Sequence, residues 1–520
     1  MCGILFSNIR TINKISFDAA LELMDHRGPD ATGYFSQHGI QMGHKRLKIQ
    51  DLDSRSNQPF HSSCGTYICI FNGEIYNFKE LAQSHSIETK TTSDTEVLIE
   101  LYAMYGEKML PMLNGMFAFL ILDTRDGSYF VARDRLGIKP LYVYSSSQGV
   151  VVSSEVAPIL GLISKVELDE VGIRQYRKLR SFFNDRTLYK NVSMFPAAQF
   201  LYSNSLFDRK KCKKYWEIDF SFDSEVEDEE VESLLISAVN FRNLSDVPVG
   251  TYLSGGLDST IITSLASQTD SWTVGFHDHN EYEYAGLAAG YSGTTHHEVD
   301  VAYKDFIPTM ESIIRKRMEP LSVPNEVLLY LMTKQVRTKN TVVLSGEGAD
   351  ELFFGYDRIF WWASNNSWSV ESFDKYYSYG TNPDLEIIED VMDGYSHYQS
   401  ALEKTSAFFQ INHLHGLLRR LDNSTMLNSV EGRVPFVDHR LVELMASASF
   451  DYRTGLGSNV KAPLKRIFKD KIIESAITRK KIGFPVPIDK IFVNQGNDKK
   501  QPMDLWLDYN MDYLINKVLT

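Results

Sequence analysis

Past residue 249 the chain settles into one repeating order: an apolar strand, a loop, a helix, and another strand. The segments are GTYLSGG, STIITSLAS, SWTVGF, EYEYAGLAAGYSG, HHEVDV and NTVVLSG. Antiparallel neighbours need only a tight turn, whereas a strand followed by a helix and a second strand has to cross over. This order therefore demands a parallel sheet with helices packed on it. Such a sheet presents its functional loops at the carboxyl ends of its strands. After about Asp357 the sequence reads as mostly helical, ending in segments such as VKAPLKRIFKDKI.

The first 200 residues follow a different pattern, with short β-type runs punctuated by Gly, Pro, Asn and Asp: ILFSNI, GYFS, YICIFNG, FAFLILD, SYFVARD, PLYVYS and GVVVSS. Two helical stretches interrupt them. One runs from Phe17 to Met24, and the other from Thr95 to Leu113, with Val97, Leu98, Leu101, Met104 and Tyr105 at helical spacing. This half is a layered arrangement of α and β. The acidic run SEVEDEEVE suits the start of a helix, and the change of pattern falls near Asp219. The expected division is a first domain over residues 2–205, a linker over 206–228 and a second domain over 229–520.

Charge narrows the partners. With 54 Lys plus Arg against 67 Asp plus Glu in 520 residues, the net charge is −13 and basic clusters are short, so no nucleic acid is expected. The longest uninterrupted apolar run, Met116 to Leu122, is far below the roughly 18 residues of a membrane span. The start, MCGILFSNIR, does not read as a secretory signal, so the expected compartment is the cytoplasm. Cys2, Cys64, Cys69 and Cys212 are too sparse for a disulfide framework and lack CxxC pairs.

Cys2 is set apart by its place. Once the initiator Met is removed, one residue carries both a thiol and the free α-amine, and an amine titrating at roughly 7.7 to 8.0 accepts the thiol proton without a histidine. Asn72 and Gly73, in NGEIYN after the strand YICIF, offer a side-chain amide and a backbone N–H to a tetrahedral oxyanion, though Asn-Gly is also the commonest hairpin turn. HRGPD, HKRL around Arg46, and SDTEV with Asp94 add charged groups of the kind that grip an amino acid's carboxylate and ammonium. Together MCGI, HRGPD, HKRL, NGEIYN, SDTEV, GMFAF and ARDRLGIKPLY resemble the glutaminase half of the class II glutamine amidotransferases, an αββα N-terminal-nucleophile fold. The resemblance implies that Cys2 is the nucleophile, that Asn72 and Gly73 form the oxyanion hole, and that Arg46, Glu74 and Asp94 join them in binding glutamine.

LSGGLDST, Leu253 to Thr260, lies between a strand and a helix, where glycines let backbone N–H groups and the helix N-terminus face an anion. It lacks the Lys of the P-loop and ends in Asp258 and Ser259, which points to pyrophosphate with a bridging metal ion. A second loop, VVLSGEGADE, presents Glu347, Asp350 and Glu351 just after another strand. SGGLDS, LSGEGADE, EGRVPFVDHRLVE and RKKIGFPVPI resemble the ATP pyrophosphatase domain of asparagine synthetases, a parallel-sheet α/β domain with a largely helical C-terminal part. That likeness assigns Leu253, Ser254, Gly255, Gly256, Asp258, Ser259, Val274, Ser345 and Gly346 to ATP, Asp258 and Asp350 to magnesium, and Glu347 to the acyl-adenylate step. Lys461 matches the family lysine that stabilises phosphate charge, although Lys465 and Lys469 stand nearby on the same expected helix.

Two departures bear on the acceptor. EPLSVPNEVLLYLMTK is more apolar than its family counterpart, and Phe354 stands where Gly is common, so its ring is expected to reshape the mouth of the acceptor pocket. The reading is a glutamine-dependent, ATP-cleaving amidotransferase that passes ammonia through a dry passage between two sites. Aspartate is the favoured carboxylate acceptor and a homodimer the assembly implied by likeness. The alternatives are the same architecture on another carboxylate, a nucleotide or amino-acid sensor with a decayed synthetase site, and a plain glutaminase.

Overall fold

The computed structural model describes residues 2–204, 206–222, 224–266, 270–456, 459–479, 486–492 and 500–520. Among these residues the strands form three sheets. In the first half two antiparallel sheets lie face to face. One has the order Val192–Met194, Tyr142–Ser146, Gly149–Ser153, Gly3–Ser7, Ile40–Arg46, Ala31–Gln37. The other runs Lys213–Lys214, Gln199–Ser203, Tyr129–Arg133, Gly115–Asp123, Tyr67–Ile75, Phe60–His61.

The run Met116 to Leu122 shows why both faces of a strand here are apolar. Ala118, Leu120 and Leu122 enter the core between the sheets with Ile4, Phe6 and Ile70. Phe117, Phe119 and Ile121 turn the other way, into the core shared with Val97, Leu98 and Leu101 of the Asp94–Tyr105 helix. A strand covered on both sides loses its polar alternation. The Asp94–Tyr105 helix is capped by Ser93, whose side chain accepts from Thr95 N. It stops short of the expected Leu113 because Gly106 turns at φ +56° and Pro111 follows in a 3₁₀ segment, Gly106–Met112. The other helix of the first half runs Lys14–Glu22, earlier than expected, with Asn13 as its cap.

The second half holds the expected parallel sheet, in the order Thr295–Val301, Asp270–Phe276, Val249–Tyr252, Val342–Leu344, Glu431–Arg433. The edge strand Glu431–Arg433 has no counterpart in the sequence reading. Strand order reverses between Val249–Tyr252 and Val342–Leu344, and a crevice at such a switch point is where open parallel sheets bind ligands. Helices dominate after Asp357. The terminal helix Pro502–Tyr513 buries Trp506, whose Nε1 donates to Ser322 O at 3.2 Å, and Asn510 Oδ1 accepts from Leu321 N at 3.2 Å. The unassigned C-terminal stretch therefore braces the segment leading into the Asn325–Val336 helix.

Candidate active sites

The first site forms where strands of the two facing sheets end together. Cys2 N donates to Asn72 Oδ1 at 3.1 Å, and Asn72 Nδ2 is buried without a hydrogen-bond partner. An orphaned donor beside a thiol is what an oxyanion hole requires before its ligand arrives. Gly73 is forced by packing, because a Cβ there would lie 2.1 Å from Met116 O on the paired strand. Arg46 closes the far side, with Nη1 donating to Asp53 O at 2.8 Å and Asn57 Oδ1 at 2.7 Å, and Nη2 to Gln50 O and Asp51 O. Its guanidinium thus shapes the 50–57 loop as well as facing the cavity. That cavity, of about 30 Å³, is lined by Cys2, Arg46, Gln50, Gly73, Glu74 and Asp94 among others.

Burial sets the charge states here. It pushes the Cys2 thiol up, opposed by the chain's amino terminus, a Leu47 backbone contact and Arg46. Burial raises the Asp94 carboxyl to about 6, against the pull of the Ile75 and Thr95 N–H groups. Glu74 is raised further, by burial and by the carboxylate of Glu431, although Arg433 Nη2 lies 3.5 Å away.

The second site sits at the sheet's switch point. The loop after Val249–Tyr252 turns at Gly255 (φ +72°), where a Cβ would come within 2.5 Å of the Tyr284 backbone. Gly255 therefore packs behind the wall. Ser259 Oγ accepts from Ser254 N at 3.2 Å and lies 3.1 Å from Ser254 Oγ, which folds the loop over the start of the Leu257–Ala266 helix. A cavity of about 440 Å³ opens here, bounded by Leu253, Ser254, Gly256, Asp258, Ser259 and Val274 on one side. Ser345, Gly346, Glu347, Asp350 and Lys461 bound it on the other. The volume lies within the range of nucleotide-sized pockets.

Lys461 Nζ stands 2.5 Å from Asp258 Oδ2 and 2.6 Å from Asp350 Oδ1. Burial alone would lower this ammonium, but the two carboxylates outweigh that and hold it above its usual range. Two hard-oxygen ligands converging on one cation fit magnesium, which takes one or two carboxylates and completes its shell with phosphate and water oxygens. No group of three or more His, Cys, Asp and Glu side chains forms a metal cluster among the described residues, as that mode of binding requires. Lys461 lies before the Ala462–Ile467 helix in a left-handed conformation, φ +54°. Lys465 also lines the cavity, but its Nζ is held by Asn459 Oδ1 at 2.5 Å, and Lys469 lies beyond the helix.

The ring of Phe354 does not reach the pocket mouth. It is fully buried at φ +53°, stacked on Phe360 with centroids 4.1 Å apart, and the Arg453 guanidinium sits 4.2 Å from its centre. A large ring replaces a flexible residue by turning inward, and its backbone keeps the left-handed geometry that favours Gly. The other departure, the segment around Asn325, does reach the cavity, because Asn325 lines it. Of RKKIGFPVPI, residues 480–485 lie outside the described residues.

Sequence reasoning missed the residues that tie the sites together. Arg27, fully buried, donates from Nε to Cys2 O at 3.0 Å, from Nη1 to Glu155 at 3.0 Å and from Nη2 to Asp422 Oδ2 at 3.0 Å. Asp422 sits on the Leu414–Met426 helix, and from the same helix Arg420 Nη2 donates to Glu347 Oε1 at 2.6 Å. Lys139 Nζ lies 3.5 Å from Asp422 Oδ1. HRGPD contained a clue to Arg27, but partners almost 400 residues away leave no local pattern.

Residues 1–216 match a glutamine amidotransferase domain family and residues 230–499 the asparagine synthase family. Asparagine synthetase (glutamine-hydrolyzing) 1 of Bacillus subtilis is 30% identical, covering 92% of this chain and 84% of its own length. Putative asparagine synthetase (glutamine-hydrolyzing) 2 of Methanocaldococcus jannaschii is 33% identical, covering 68% of this chain and 76% of its own length. Asparagine synthetase (glutamine-hydrolyzing) of Zea mays is 28% identical, covering 90% and 74%. No helix among the described residues is long and apolar enough to cross a membrane. With one match across most of its second half and relatives aligned along nearly its whole length, the chain belongs to the asparagine synthase family.

Proposed function

We propose that this chain transfers the amide nitrogen of glutamine to the side-chain carboxylate of aspartate, driven by cleavage of ATP to AMP and pyrophosphate. The observation that carries the reading is the pairing, in one chain, of an orphaned oxyanion donor beside Cys2 with a carboxylate–lysine cluster at the sheet's switch point.

In the first site the Cys2 sulfur attacks the glutamine amide carbon, and its proton passes to the α-amine exposed by loss of Met1. Asn72 Nδ2 and Gly73 N–H receive the oxyanion, while Arg46, Glu74 and Asp94 hold the amino-acid head group. Ammonia leaves, and water resolves the thioester to glutamate. In the second site the loops Leu253–Ser259 and Ser345–Gly346, with Val274, hold ATP. An aspartate side-chain oxygen attacks the α-phosphorus and pyrophosphate departs. Asp258 and Asp350 would hold magnesium, which supplies charge neutralisation for the phosphates. Lys461 faces that same charge, and Glu347, positioned by Arg420, serves the acyl-adenylate step. Ammonia arriving from the first site then attacks the acyl carbon and AMP leaves.

The two catalytic units we assign are residues 2–205 and 229–520, joined by 206–228. A homodimer in the cytoplasm is the assembly and compartment that the family likeness and the composition support. Mass analysis of products from ATP, glutamine and aspartate tests the function: asparagine, glutamate, AMP and pyrophosphate are expected in equal amounts. Retained glutaminase activity without asparagine sinks the choice of acceptor. Cys2→Ala should lose glutamine use and keep ammonia use.

A further inference from the structure

The cavity beside Glu347 ends in two polar groups that the chemistry above leaves idle. Glu351 is 1% exposed and lines the cavity. Its Oε1 accepts from the Tyr356 hydroxyl at 2.6 Å, with His413 Nε2 at 3.6 Å, while its Oε2 is buried without a hydrogen-bond partner among the described residues. Arg420 lines the same cavity. Its Nη2 is engaged by Glu347 and its Nη1 lies 3.4 Å from Asn325 Oδ1, but its Nε–H is buried without a partner. The neighbouring charges are already matched, Glu347 with Arg420 and both Asp258 and Asp350 with Lys461. Glu351 is the carboxylate left over at this wall, and an unanswered buried polar group is costly unless a ligand answers it.

We infer that Glu351 and Arg420 form the head-group subsite for the acceptor, Glu351 taking the α-ammonium and Arg420 the α-carboxylate of a zwitterionic amino acid. The inference rests on the amidotransferase reading and deepens it, because a plain carboxylate or a sugar acid leaves Glu351 unanswered. Asn325, from the segment where this sequence departs from its family, sets the Arg420 fork. Glu351 and Arg420 thus act as specificity-determining residues, distinct from the groups that handle phosphate.

The test uses three acceptors with the intact enzyme, ATP, magnesium and ammonium, reading pyrophosphate release. Aspartate has both head groups, succinate lacks the ammonium and 3-aminopropanoate lacks the α-carboxylate. A site whose buried groups await those partners should prefer aspartate over either analogue by at least about 1,000-fold in kcat/KM. Glu351→Gln should reduce the aspartate-to-succinate ratio by at least about 100-fold and move the aspartate-to-3-aminopropanoate ratio less than about threefold. Arg420→Met should do the reverse. Because Arg420 also positions Glu347, its variant slows every acceptor, and only the ratio reads the subsite. Unmoved ratios, or an intact enzyme that uses succinate as readily as aspartate, overturn the subsite. The analogue comparison decides this even if a variant fails to fold. If aspartate releases no pyrophosphate while another carboxylate does, the proposed function falls too, an outcome separate from unmoved ratios.

Discussion

Lys461→Met gives the cleanest measure of the cation seat between Asp258 and Asp350. The lysine side chain is 6% exposed and its two carboxylates 22% and 21%, at 2.5 and 2.6 Å from Nζ. Removing one partner from a buried ion pair typically costs about 3–5 kcal/mol, and the partial exposure of the carboxylates favours the lower end, about 3 kcal/mol. For a cooperative unit of about 290 residues, with an unfolding entropy near 2.1 cal/mol/K per residue, that loss lowers Tm by about 5 °C. Magnesium at ten times its dissociation constant returns RT ln 11, about 1.4 kcal/mol, or roughly 2 °C. In the unaltered protein the ammonium already occupies the seat, so magnesium alone should raise Tm less. The assay is thermal unfolding in EDTA and in magnesium chloride, without nucleotide. A variant that unfolds within about 1 °C of the parent in EDTA, or equal magnesium shifts in both proteins, would refute the reasoning.

Three further outcomes follow from the geometry. Asn72→Ala should lower kcat for glutamate release by about 100- to 1,000-fold, while ammonia-dependent pyrophosphate release stays within about twofold; an unchanged glutaminase rate removes Asn72 from the oxyanion hole. Asp94, raised from 3.8 to about 6, favours the folded state most below pH 3.8, and that contribution is lost as pH rises through about 6. Glutamine's ammonium needs the opposite form, so KM for glutamine should climb about tenfold per unit as pH falls below about 6, a slope that Asp94→Asn should abolish in steady-state assays. Phe354→Ala should cost about 3–5 kcal/mol of packing. Because φ is +53°, Phe354→Gly should be less harmful than Ala by about 1 kcal/mol, reversing the usual order in denaturant unfolding.

The loops that build both sites were readable because their residues are neighbours in sequence and their glycines and carboxylates have few other uses together. The parallel sheet was readable from its alternation for the same reason. The edge strand Glu431–Arg433 escaped because its three residues are polar: Arg433 Nε donates to Glu431 at 2.6 Å, and both side chains are fully buried. No hydropathy pattern reports a strand whose side chains are buried by pairing charges. Phe354 was placed at the pocket mouth because position in a motif does not say which way a side chain points, and the left-handed backbone turned it inward. Arg27, Asp422 and Arg420 acquire roles only when distant segments meet.

The Leu414–Met426 helix carries a constraint of its own. Arg420 and Asp422 are two positions apart, about 200° around the axis, so they leave on nearly opposite sides, one gripping Glu347 and the other the guanidinium behind Cys2. Shifting that rod by a single residue would misplace both grips at once. Anyone splicing the front half of one relative onto the back half of another inherits this problem, since matched ends at the junction near residue 220 say nothing about whether the rod's two hands still find what they hold.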